Sequence, residues 1–168
     1  MKLMHCFGTD KTIPVDIQLA VNMLKASGIR EVTLNTHNID NIHDWQDLPL
    51  GYGSATWRNV SKKLNFKSYQ PIFNINLPKS ADEAISRTEK ALKLNSTFPI
   101  KLEVLNKNHD RPINKEVEKA SRYLISKYPN LQVWPLINPD LSTYNSLKKI
   151  GCGMIRVLGS TIGSTQGI

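Results

Sequence analysis

The sequence predicts an α/β protein with a (β/α) TIM-barrel-like parallel sheet, in which about six of the eight strand–helix units of a full barrel are present. Three observations carry this. Short apolar runs alternate with amphipathic stretches from end to end. The runs are nearly continuous in apolar residues, as strands of a parallel sheet covered by helices are. The turn after the first run, Gly8-Thr-Asp-Lys11, is not the G-x-G-x-x-G fingerprint of a dinucleotide-binding open sheet, which favours the barrel over a doubly wound sheet. A full barrel has eight strands and typically about 250 residues. The 168 residues here supply six runs, so the expectation is one domain, 1–168, forming an incomplete barrel.

The elements follow in order. Leu3–Phe7 is a short apolar run closed by Gly8. From Pro14 to Ser27 the residues Val15, Leu19, Ala20, Met23 and Leu24 recur at helical spacing, with Pro14 near the first turn and Gly28 as the stop. Ile29–Leu34 is the second strand. Residues 38–66 are irregular: Pro49, Gly51 and Gly53 interrupt them, while Trp45, Trp57 and Leu64 suggest a short helix on each side. Gln70–Ile75 is the third strand. Ser80-Ala-Asp-Glu83 is a capping-box signature opening a helix whose inner face carries Ala84, Ile85, Ala91 and Leu92. Ile100–Leu105 is the fourth strand. Asn114 is the expected cap of a helix with Val117, Ala120, Leu124 and Tyr128. Gln132–Ile137 is the fifth strand, and Asp140 caps a helix with Tyr144, Leu147 and Ile150 that ends at Gly151. Met154–Leu158 is the sixth strand and runs into a segment rich in glycine and serine.

Composition narrows the function classes. No apolar run reaches the roughly 18 residues that cross a bilayer, and the start reads as a strand entering a turn and not as a signal peptide. A cytoplasmic protein without membrane attachment is expected. Cys6 and Cys152 have no CxxC spacing and read as two buried free thiols. His5, His37, His43 and His109 form no HxH or HExxH pattern, so no metal site is expected. The net charge of +8 is spread over helix surfaces without a dense basic run interleaved with aromatics. This argues against nucleic acid and suits a phosphorylated substrate or an acidic partner, although most such charges simply solvate a surface.

Chemistry concentrates in the fourth strand. Side chains alternate along a strand, so Ile100, Leu102 and Val104 share one face, expected against the helices. Lys101 and Glu103 then point the other way, into the barrel. An ammonium taken out of water needs a partner or a function. Such a lysine near a barrel mouth suits imine formation with a ketone, and a carboxylate two residues on suits proton transfer around the imine. A structural Lys–Glu pair, or an edge strand showing both groups to water, fits the same pattern.

Several segments resemble the thiazole synthase family, which builds the thiazole phosphate moiety of thiamin. KLEVL at 101–105 is similar to its active-site strand. FGTDK at 7–11, ASG at 26–28, EVTL at 31–34 and ADEA at 81–84 follow the family in order and spacing. Asn74 stands where the family has an asparagine after its third strand, and Pro135 and Asp140 match the fifth strand and its loop. GC at 151–152 followed by LGSTIGSTQGI at 158–168 resembles the family's GC…LGxPIGSGxGI segment. The likeness spans nearly the whole chain and is weak over 38–66.

The resemblance implies roles. Lys101 is the lysine that forms an imine with 1-deoxy-D-xylulose 5-phosphate, and Glu103 is the acid–base residue beside it. Gly163 and Asn74 belong to the substrate-binding set. Sulfur arrives as a thiocarboxylate on a small ubiquitin-like carrier protein, dehydroglycine supplies carbon and nitrogen, and no cofactor is held. Departures accompany the likeness. Asn35-Thr-His-Asn38 replaces the arginines that tend to follow the second strand, Thr161 replaces a proline, and Thr165 replaces a glycine. The family also continues for two more strand–helix units, which hold an aspartate and the phosphate-binding turns. The expectation is therefore a fragment, a truncated reading frame or a degenerate paralogue. Alternatives are a non-catalytic module that binds a sugar phosphate or a partner, and another lysine-imine barrel lyase. Six strands leave open edges, so a homo-oligomer is expected.

Overall fold

The computed structural model describes residues 4, 6, 7, 14–65 and 68–162. Five parallel strands form one sheet in chain order: β1 (Glu31–Asn35), β2 (Gln70–Ile75), β3 (Ile100–Leu102), β4 (Val133–Ile137) and β5 (Arg156–Val157). The helices are α1 (Ile17–Ser27), α2 (Trp57–Ser61), α3 (Ala81–Leu94), α4 (Asn114–Lys127) and α5 (Leu141–Lys149). Sequential parallel strands joined through helices are the arrangement of a partial βα barrel, as the alternation predicts. Of the expected first strand, Leu3–Phe7, only Met4, Cys6 and Phe7 are described, and Phe7 is buried in the core.

Alternate strand residues do divide between two faces. Phe73, Ile75, Ile100, Leu102, Val104, Val133 and Ile137 join one core with Ala84, Ala91, Val117, Ala120 and Leu124 of the helices. The opposite phase carries Thr33, Asn35, Ile72, Asn74, Lys101 and Trp134, brought side by side by the register Asn35↔Asn74, Asn74↔Lys101 and Lys101↔Trp134. Strand β3 is shorter than its apolar run because its last residues find other partners. Glu103 N still donates to Ile75 O, but Leu105 N turns to Pro78 O and Val104 O accepts from Ile113 N. That divergence opens the strand ends above Lys101.

Helix boundaries are set by their caps. Ser80 accepts from Glu83 N, while the Glu83 carboxylate accepts from Lys79 N at 2.7 Å. Asp140 accepts from the backbone of Ser142 and Thr143. Three expectations are corrected. The buried stripe of α1, which is N-capped by Asp16, is Ala20, Val21 and Leu24, and Leu19 and Met23 are exposed. Asn114 is the first residue of α4 and not its cap. Its Oδ1 accepts from Asn138 N at 2.8 Å, so the side chain ties the loop after β4 to α4. Tyr144 is at the exposed margin of α5, whose buried contacts are Thr143 and Leu147.

Residues 38–65 are ordered by burial. Single turns at Ile39–Asn41 and Trp45–Asp47 and helix α2 place Leu48, Leu50, Ala55, Trp57 and Val60 in the core. Val15 stitches this segment to the entry of α1: its N donates to Tyr52 O and its O accepts from Ala55 N. Gly53, with φ 120°, passes so close that a Cβ there would lie 2.5 Å from Val15 O. Among the described residues no helix is long and apolar enough to cross a membrane, and no cluster of three metal-ligating side chains occurs.

Candidate active site

Lys101 and Glu103 lie together, each 7% exposed, on the sheet face turned away from the helices. Lys101 Nζ donates to Glu103 Oε1 at 2.5 Å and to Asn74 Oδ1 at 3.0 Å. The strand register explains both contacts. Asn74 is the neighbour of Lys101 across β2–β3, and Glu103 is two residues on, just past the end of β3. Three of the four residues singled out from the sequence therefore meet at one point. The fourth, Gly163, lies outside the described residues.

A fourth group completes the cluster and was missed in the sequence. Arg156 Nη1 donates to Glu103 Oε1 at 2.8 Å. The same guanidinium donates to Leu102 O and to Trp134 O, each at 3.1 Å. It thus reaches from β5 across β4 to β3. The residue sits inside the apolar run MIRVL, and a lone arginine in such a run is the signal that could have found it. Burial pulls the Glu103 carboxyl upward, but the charges of Lys101 and Arg156 and their hydrogen bonds outweigh it. The carboxyl is held below the usual range and stays ionised near neutrality.

The pair opens into a cavity of about 270 Å³ lined also by Asn74, Asn76, Leu77, His109 and Leu136. This lies just under the range of about 300–1,000 Å³ common for ligand pockets. Its rim lies where β2 and β3 end, the side on which βα proteins place their ligands. Two rim residues hold positive φ without being glycine: Leu77 at 75° and His109 at 58°. Such backbone costs of order 1–3 kcal/mol per residue and clusters at ligand-binding positions. The loop bearing His109 is tied down by Asp110, whose N donates to Asn106 Oδ1 and whose O accepts from Ile162 N. A larger hollow of about 940 Å³ between α3 and α4 has a different character. Its charges pair among themselves, Asp82 with Lys119, Glu89 with Lys127 and Glu118 with Arg122, as on a solvated helix surface.

The thiols differ from expectation in part. Cys152 is buried, and burial pushes its thiol up to about 11. Cys6 is exposed, because it stands at the cavity rim and not in the helix-side core.

Comparison with known proteins places these features in a family. A family model described as thiazole biosynthesis protein ThiG matches residues 51–168. A thiazole synthase of Prochlorococcus marinus (strain MIT 9215) is 34% identical over 120 residues, which is 67% of this chain and 45% of the relative. One from Desulforamulus reducens is 26% identical over 165 residues, 96% of this chain and 55% of the relative. The chain thus spans about half the length of the curated relatives it matches. Among solved structures, the crystal structure of the Amycolatopsis orientalis BexX/CysO complex includes a chain with the same fold. The TM-score is 0.70 at 19% identity, over 93% of this chain and 59% of that one.

Proposed function

Because this chain belongs to the family of the thiazole biosynthesis protein ThiG, we propose that it acts in formation of the thiazole phosphate of thiamin, with Lys101 as the imine-forming residue. The proposed substrates are 1-deoxy-D-xylulose 5-phosphate, dehydroglycine and a thiocarboxylate carried by a small ubiquitin-like protein. The observation that carries the reading is the buried Lys101 Nζ, held between Asn74 Oδ1 and Glu103 Oε1 at the floor of a cavity.

The chemistry follows from that placement. The nucleophile is the free amine. As Nζ attacks the ketone carbon, Glu103 Oε1 takes the proton it already shares. The carbonyl oxygen leaves as water, so ammonium and ketone together give a protonated imine and water. The Glu103 carboxylate then removes a proton from the carbon beside the imine, and the electron pair moves to nitrogen to give the enamine. Asn74 fixes Nζ from the other side. Arg156 keeps Glu103 in the basic form between these steps.

Borohydride reduction in the presence of the sugar phosphate tests the imine. A mass adduct on Lys101 that is absent from Lys101→Ala is expected, and no adduct refutes it. The family's carrier protein is the proposed protein partner, and the neighbouring fold solved as a BexX/CysO complex motivates the search. Strand β5 pairs only with β4 among the described residues, so association of copies is proposed as well; a monomer by light scattering would count against it.

A second reading rests on Arg156. Because Glu103 Oε1 accepts from both Lys101 and Arg156, the three groups form a closed ion cluster, as in a module that binds a sugar phosphate without turning it over. A thermal shift with the ligand but no trapped adduct would select this reading.

A further inference from the structure

We propose that Asn76 and His109 form a hydroxyl-recognition subsite beside Lys101 and Glu103, selecting an open-chain polyhydroxy carbonyl compound over its deoxy analogue. The inference deepens the imine reading and rests on it for the placement of the carbonyl group.

Two buried polar atoms at the cavity lack partners among the described residues. Asn76 is 3% exposed, yet its Oδ1 has no hydrogen-bond partner among the described residues. His109 Nδ1 is likewise buried and unpartnered. Buried polar groups are almost always satisfied, because an orphan forfeits its hydration without return. Both residues line the cavity that holds Lys101 and Glu103. Each also stands at a strained turn, His109 at φ 58° and Asn76 directly before Leu77 at φ 75°. Two orphans and two strained turns around one cavity are what a site built for an absent ligand would show.

The chemistry of the orphans selects the ligand group. An anion such as a phosphate or carboxylate accepts hydrogen bonds only and would face the Asn76 oxygen. A cationic group would meet Lys101 and Arg156. A hydroxyl is both donor and acceptor, so it fits either end of the amide and either tautomer of the imidazole. Neutral hydroxyls next to the carbonyl carbon therefore match this rim, with the carbonyl itself toward Lys101 Nζ.

Calorimetric titration of the full chain with 1-deoxy-D-xylulose 5-phosphate and with 4-oxopentyl phosphate, the same ketone without the two hydroxyls, tests this. The wild type is expected to prefer the hydroxylated ligand. Asn76→Leu and His109→Gly, the second chosen because glycine suits φ 58°, should each weaken that ligand by up to about tenfold, the scale of one hydrogen bond. Neither should alter binding of 4-oxopentyl phosphate. Removing an orphan acceptor should also leave the ligand-free melting temperature of Asn76→Leu unchanged or raised by about 2–4 °C. Equal binding of the two ligands by the wild type overturns the proposal. So does binding of neither ligand, an equal loss for both in the variants, or a lower melting temperature for Asn76→Leu. Borohydride treatment with 4-oxopentyl phosphate separates the two ideas. A Lys101 adduct without any hydroxyl preference removes the subsite and keeps the imine, whereas a hydroxyl preference without an adduct keeps the subsite and removes the imine.

Discussion

Replacing Arg156 by methionine isolates what the guanidinium does for Glu103. The substitution deletes one charge-assisted hydrogen bond to the carboxylate and the donors to Leu102 O and Trp134 O. Lys101 remains on the carboxylate, so the cost is smaller than the roughly 3–5 kcal/mol of leaving a buried charge unpaired. Charge-assisted bonds contribute about 1.5–3 kcal/mol, and about 2–3 kcal/mol is expected for the substitution at neutral pH. At about 2–4 °C per kcal/mol for a chain of this size, the melting temperature falls by about 4–12 °C. The pH dependence is the sharper test. The folded Glu103 carboxyl is held below its usual range, so its contribution is fully present above the unfolded value of about 4.3. It is lost as pH falls through the folded value. Urea unfolding at pH 7, 5 and 3.5 should show a wild-type advantage that is constant between the first two and smaller at the third. A residual difference from the two carbonyls should persist. An advantage that does not change down to pH 3.5, or no loss of stability at pH 7, would refute the assignment of Arg156 as the brace of the pair.

Five further outcomes rest on this cluster and on contacts elsewhere in the fold. Glu103→Gln leaves the buried Lys101 and the half-buried Arg156 without a counter-charge, so it should cost about 3–5 kcal/mol by denaturant unfolding, more than Lys101→Met, which leaves Glu103 paired to Arg156. Gly53→Ala should cost at least about 2 kcal/mol, because strain at its positive φ adds to a clash with the Val15 backbone. Gly28→Ala, in open space at φ 63°, should cost only about 1–2 kcal/mol in the same measurement. Asn114→Ala should lower stability by about 1–3 kcal/mol, since Asn138 N loses its acceptor. Iodoacetamide near neutral pH should modify the exposed Cys6 and spare Cys152 until the protein unfolds, because the Cys152 thiol is buried and pushed up to about 11.

Much of the fold was legible because parallel strands buried on both faces announce themselves as apolar runs. Gln70–Ile75 matches its run end to end. The runs at 100–105 and 154–158 overstate their strands, because apolar character reports burial and not pairing. Val104 is buried in the core while its carbonyl serves the loop at Ile113. Caps at Ser80 and Asp140 were legible because their donors are local. Asn114 was not, since its partner is the Asn138 backbone, 24 residues away. Residues 38–65 looked irregular because their order comes from Val15 and from aromatic packing such as Trp45 edge-on to Phe98, contacts with no local period. At the site, alternation within one strand was enough to bring Lys101 and Glu103 to one face. Arg156 required knowing which strand follows β4, and His109 required a loop conformation that no local pattern encodes.

The polar residues of the inner face are arranged in levels, and the levels carry the argument about function. At the strand starts this phase carries the half-buried neighbours Glu31 and Gln70, and one pleat on, inside the sheet, Thr33 and Ile72 are neighbours. One pleat on, Asn35, Asn74 and Lys101 stand side by side. The next residues in the same phase are Glu103, just past the end of β3, and Leu136 on β4, and Arg156 is the neighbour of Leu136 across β4–β5. From Thr33 and Ile72 polarity thus rises toward the strand ends, and Asn76 and His109 are added where the chain leaves the sheet. On a buried face each such group must be desolvated and then satisfied. Within the ion cluster they are satisfied by one another. At the rim, Asn76 Oδ1 and His109 Nδ1 are not. The boundary between satisfied and unsatisfied groups therefore separates the ion cluster around Lys101 from the rim proposed to receive a ligand.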